Sequence, residues 1–173
     1  MRLFVAILPD AQVQKALLDV VDNLKRQGVS ANYTRQNNLH LTLAFLGESD
    51  RPDGALRAME RAASTPFSLE LSGFGRFGEL FWVGAKKDPG LLSLAERLRT
   101  ALEAEGFSVE KGAFRPHITV ARRAVWQEPL RIKVAPAAMT VRHISLMCSL
   151  REKGRLVYEE VGAVALRPEA KQK

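Results

Sequence analysis

The apolar positions change period several times along the chain, and each change marks an element. Residues 2–8, RLFVAIL, form a near-continuous apolar run suited to a buried strand. From 10 to 27 the spacing turns helical, through Val13, Leu17, Val20, Val21 and Leu24, and it stops before Gly28. LHLTLAFL, at 39–46, returns to strand spacing, and Pro52 and Asp53 open a second helix through Leu56 and Met59 to about Ala63. FSLELSGF and ELFWVGAKK read as two strands of a hairpin joined around Gly75 to Gly78. A third helix is predicted from Pro89 to about Glu105, with Leu91, Leu94, Ala95, Leu98 and Leu102 on one face and Gly106 as its stop. A strand follows Pro116, within FRPHITVAR, and two long strands at about 139–150 and 155–165 turn around Glu152 to Gly154.

Helices and antiparallel-type strands in this order predict an α+β fold. A chain of 173 residues that is 46% hydrophobic buries a full core. The two strongest strands carry the same motif 77 positions apart, His40-Leu41-Thr42 and His117-Ile118-Thr119. That rhyme suggests a duplicated, bilobal architecture: each half supplies an antiparallel sheet, helices packed outside, and one His-x-Thr strand facing a central cleft. No Ser, Gly or Pro-rich linker divides the halves, so residues 1–173 are expected to form a single domain of two pseudo-symmetric lobes around one core.

Charge adds a partner. Lys and Arg number 26 against 19 Asp and Glu, a net +7 that attracts a polyanion such as nucleic acid. Much of it is balanced on helix faces, as in Arg57, Glu60 and Arg61. The cluster Arg115, Arg122 and Arg123 beside the second His motif is less balanced and is expected to meet phosphate. The start, MRLFVAILPD, has too few apolar residues before Pro9 and Asp10 for a membrane span or a signal peptide, so a cytoplasmic protein with no membrane partner is expected. The single cysteine, Cys148, lies in ISLMCSL without a disulfide partner and is read as a buried thiol.

The paired motif carries the chemistry. In a strand, residues i and i+2 share a face, so each motif sets an imidazole beside a hydroxyl. Two such strands supply one neutral His to take a proton and one protonated His to give it, with Thr42 and Thr119 to hold phosphoryl oxygens. Two of the three histidines carry Thr at i+2 in a chain with six threonines, which placement by chance does not account for. Neither His has a second ligand at metal spacing, so no metal and no cofactor is expected. Gly73-Phe74-Gly75-Arg76-Phe77-Gly78 matches a dinucleotide-loop spacing, but strand-like ELFWVGAKK follows where that loop needs a helix. No G-x-S-x-G supports a serine triad. His143 lacks the Thr and is read as structural, with a rim contact to substrate as the other reading.

On these residues the chain resembles the 2H phosphoesterase superfamily, and within it the RNA 2′,3′-cyclic phosphodiesterases, also called the LigT-like or 2′-5′ RNA ligase family. The likeness rests on RLFVAILP, His40-Leu41-Thr42-Leu43 followed by AFLG, FGRFGELFWVG, and His117-Ile118-Thr119-Val120 followed by Ala121 and Arg122. It implies a metal-independent hydrolysis of RNA 2′,3′-cyclic phosphate ends to 2′-phosphates, with RNA, oligonucleotides and small cyclic nucleotides as substrates and, in some members, reverse 2′-5′ ligation. Carried over by position, His40 is the proton donor, His117 the proton acceptor, and Thr42 and Thr119 bind phosphate. The residues alone leave donor and acceptor open, since the motifs are near equivalent. Phe4 is a candidate base platform or a core residue. Arg122 is a candidate phosphate or base contact, although strict alternation turns it away from His117 and Thr119 unless a bulge intervenes. A monomeric enzyme is expected; the alternatives are a non-catalytic RNA- or nucleotide-binding module of the same fold and a nuclease that makes cyclic phosphates.

Overall fold

Five of the six residues of β1 (Arg2–Ile7), which the opening apolar run forms, are buried, and the strand lies inside the sheet between two neighbours. The computed structural model describes residues 1–127 and 129–167. Asp10 caps α1 (Ala11–Arg26), its carboxylate accepting from the Val13 amide at 2.9 Å, and the helix buries Val13, Ala16, Leu17, Val20, Val21 and Leu24 along one face. β2 (Ser30–Tyr33) and a 3₁₀ turn at Gln36–Asn38 lead into β3 (Leu41–Glu48), the first His-x-Thr strand. Then come α2 (Pro52–Ala62), β4 (Phe67–Phe77), β5 (Leu80–Ala85) and α3 (Pro89–Ala104), whose cap, Asp88, accepts from the amides of Gly90 and Leu91. The second motif opens β6 (His117–Val125), and β7 (Ala138–Val141), β8 (His143–Glu152) and β9 (Arg155–Ala165) complete the described fold.

Every strand pairing is antiparallel, in the order β7-β4-β5-β6-β3-β1-β8-β9, with β2 also on β6. The α+β class is as the patterning implies. Two well-paired groups, β7-β4-β5-β6 and β3-β1-β8-β9, meet at the one registered pair Leu41↔Ile118. Both residues are fully buried, and one apolar cluster runs through both groups. The helices α2 and α3 pack on each other, α2 also against β8 and β9, while α1 covers β6 and β7.

Three expectations need correcting. The lobes are not the sequence halves: α1 and β2, from the first third, pack on β6, and β8, with β9 outside it, lies beside β1. The hairpin does not turn over Gly75 to Gly78, because Gly75 lies inside β4 opposite Trp82, whose indole fills the space a Cβ would need. The turn is at Gly78 and Glu79, with Gly78 at φ +58. The strand expected over 139–150 is broken at Arg142 into β7, which pairs with β4, and β8, which pairs with β1 and β9. β2 went unanticipated because four residues with no buried side chain leave no period to read.

Candidate active site

Leu41 and Ile118 are the middle residues of the two motifs, so their pairing fixes the site. Extending that antiparallel register by one residue sets His40 across from Thr119 and Thr42 across from His117, all four on the face opposite the buried Leu41 and Ile118. These four side chains line one cleft of about 1160 Å³, together with Phe4 and Arg122. Each imidazole is held in the same way. His40 Nδ1 lies 2.7 Å from the Asn38 carbonyl oxygen, and His117 Nδ1 lies 2.7 Å from the Arg115 carbonyl oxygen. A carbonyl only accepts, so each Nδ1 carries the hydrogen and each Nε2 is left for chemistry.

Both strands bulge immediately after the threonine. In β3 the register against β1 steps from Thr42 to Ala44, and in β6 the register against β5 steps from Thr119 to Ala121. Leu43 and Ala44 are consequently both buried, as are Val120 and Ala121, and the residue five past each His returns to the cleft face. On β6 that residue is Arg122, so the condition for it to reach the cleft is met. On β3 it is Phe45, 58% exposed and likewise part of the cleft lining.

The surroundings of the two histidines differ. His40 is half-buried against Phe4, with ring centroids 4.9 Å apart, and against the edge of Tyr158 at 5.0 Å. Burial is the main cause that lowers its pKa below the ordinary 6.5; the charges of Arg122 and His117 push the same way, and the hydrogen bond to Asn38 opposes them. Tyr158 is raised by its own burial, partly offset by Arg122 and Arg2, and stays a phenol. His117 meets the edge of Phe77 at 5.4 Å and lies 6.1 Å from Trp82; Phe77 is 43% exposed.

Phe4 itself is 3% exposed, packed beneath His40 and Tyr158 with Met147, so its place is that of a buttress. Of the basic cluster, Arg115 and Arg122 line the cleft, whereas Arg123 is exposed outside that lining at φ +53. His143 is exposed at the start of β8, also outside the lining, and Cys148 is buried. Gly73–Phe77 belong to β4 and no helix follows them, in keeping with setting the dinucleotide reading aside. Among the described residues no three His, Cys, Asp or Glu side chains converge as a metal-ligand set, and no helix is long and apolar enough to cross a membrane. The sequence reading missed Tyr158, which the β8–β9 hairpin brings beside a histidine 118 positions earlier, and the aromatic rims Phe45 and Phe77.

Residues 9–153 match the family model described as the 2′-5′ RNA ligase superfamily. A Thermotoga maritima protein named RNA 2′,3′-cyclic phosphodiesterase is 37% identical over 131 residues, covering 70% of either chain. Among solved structures, a Thermus thermophilus protein superposes with a TM-score of 0.85 at 28% identity, over 98% of this chain and 100% of that one. Escherichia coli LigT in complex with 3′-AMP gives a TM-score of 0.77 at 27% identity, over 95% and 96%.

Proposed function

The chain belongs to the 2′-5′ RNA ligase superfamily, and from that premise we propose that its cleft opens 2′,3′-cyclic phosphates at RNA ends by passing protons between His117 and His40. Hydrolysis of RNA 2′,3′-cyclic phosphate is the activity its curated relatives carry in their names, and the chain is an enzyme of that class. The observation behind the two-histidine route is the matched anchoring, 2.7 Å from Nδ1 to a backbone carbonyl in each motif, which leaves two Nε2 atoms facing one cleft.

In the proposed step, His117 Nε2 takes a proton from water as the water oxygen bonds to phosphorus. The bond from phosphorus to the ribose 3′ oxygen breaks on the opposite side, and His40 Nε2 delivers its proton to that oxygen, leaving a 2′-phosphate. The hydroxyls of Thr42 and Thr119 donate to the equatorial oxygens, and the Arg122 charge offsets the phosphate's. A half-buried His40 holds its proton less firmly than an ordinary imidazole, which makes it a better acid toward the leaving oxygen, and the substrate's negative charge favours its protonation on binding. If an RNA 5′-hydroxyl attacks in place of water, the same transfers form a 2′-5′ linkage.

The test is phosphorus NMR of the product from a 2′,3′-cyclic nucleotide. A predominant 2′-phosphate is expected, and a predominant 3′-phosphate overturns the assignment of His40 to the 3′ oxygen.

A further inference from the structure

A 2′,3′-cyclic phosphate sits at the 3′ end of an RNA, so the rest of the chain leaves the terminal ribose only through its 5′ oxygen. Any further contact with RNA must therefore lie along the cleft, on one of its two walls. The wall formed by α3 and the segment before β6 carries Arg99, Lys111 and Arg115, but Glu96 and Glu110 line it too. The opposite wall is the open face of β3-β1-β8-β9, where the registers Phe4↔Phe45, Arg2↔Ser149 and Ser149↔Tyr158 place Phe45, Arg2, Ser149 and Tyr158 on one side, with Arg151 two residues beyond Ser149. All five line the cleft. Among the described residues neither Arg2 nor Arg151 takes part in an ion pair, and Glu48, which faces Arg2 across the ladder, pairs with the Met1 ammonium at 3.2 Å.

A sheet face with an exposed aromatic ring and arginines not engaged in ion pairs is how single-stranded RNA is bound without regard to base: rings stack bases and cations follow the backbone. We infer that this face is a second nucleotide subsite, in which Phe45 stacks the base next to the cyclic end and Arg2 and Arg151 hold the phosphodiester between them. The bulge at Leu43 creates it, since without that extra residue Phe45 would point into the core. The inference rests on the cyclic-phosphate reading and assigns the enzyme to oligomeric RNA ends in preference to free cyclic nucleotides.

The experiment compares a 2′,3′-cyclic mononucleotide with a pentaribonucleotide bearing the same cyclic end. Wild type is expected to show at least about a tenfold higher kcat/KM on the pentamer. Phe45→Ala should lower the pentamer value by about tenfold and leave the mononucleotide within twofold, while Phe45→Trp restores it. Arg151→Gln should reduce the salt slope of the pentamer reaction by about 0.7. Equal rates of wild type on both substrates, or equal losses on both in Phe45→Ala, overturn the subsite. If neither substrate turns over, the cyclic-phosphate reading falls instead, and fluorescence anisotropy of a labelled pentaribonucleotide still decides: equal affinity of wild type and Phe45→Ala rejects the subsite, and a loss of about tenfold or more in the variant retains it.

Discussion

The His40 strand and the His117 strand share a backbone plan, namely an imidazole tied by Nδ1 to a carbonyl two residues before it, a threonine two residues after, and then a bulge. Their neighbours are not shared. His40 leans on the buried Phe4 and on Tyr158, and the arginine five past the other histidine acts on it; His117 meets Phe77, whose ring is open to solvent. Near-identical backbone thus orients both rings, while packing sets their neighbours and, at His40, weakens the hold on a proton. In the two-histidine route proposed above, this difference in surroundings is what would distinguish donor from acceptor.

The largest test of that comparison removes each ring. His40→Ala and His117→Ala should each lower turnover by about 10²- to 10⁴-fold with the fold intact by circular dichroism. A phosphodiester with a nitrophenolate leaving group needs no proton on departure, so it should recover most of the loss in His40→Ala and little of it in His117→Ala. Equal recovery would abolish the distinction between the strands.

Next is the layer behind the rings. Phe4→Ala empties a core position and should cost about 3–5 kcal/mol in urea unfolding, whereas Phe77→Ala, at the solvent, should cost less than about 1 kcal/mol. Similar losses would mean the two histidines are supported alike.

The smallest effect is on titration. By NMR, His40 in the free protein should titrate below 6.5, and Arg122→Gln should move it upward by removing a positive neighbour. Because the folded state then binds fewer protons at His40 than the unfolded state, stability should fall as pH drops from about 6.5 through the folded pKa, and His40→Gln should flatten that slope. A His40 titration at or above 6.5 would show that burial does not govern it.

Both His-x-Thr motifs and the helices α1, α2 and α3 are legible in the sequence, because period and motif are local properties. Val13 through Leu24 announce one face of α1, and His-x-Thr in an apolar run announces a strand. The rest depended on partners. Alternation alone turned Arg122 away from the cleft, and only its pairing with β5 shows the bulge at Val120. Gly75 read as a turn because its reason for being glycine, the Trp82 indole, lies on another strand. Tyr158 is positioned by a hairpin far along the chain and carries no local sign of its neighbour.

The pairing of Leu41 with Ile118 acts as a gauge. The spacing between the two histidine rings is set at a single cross-strand bridge between residues that flank them, so errors elsewhere in the fold do not accumulate on the way from one ring to the other. Loops, hairpin tips and rim side chains can lengthen or change while that inner dimension stays constant. The choice of RNA is therefore free to drift at the edges of the cleft without disturbing the chemistry at its centre.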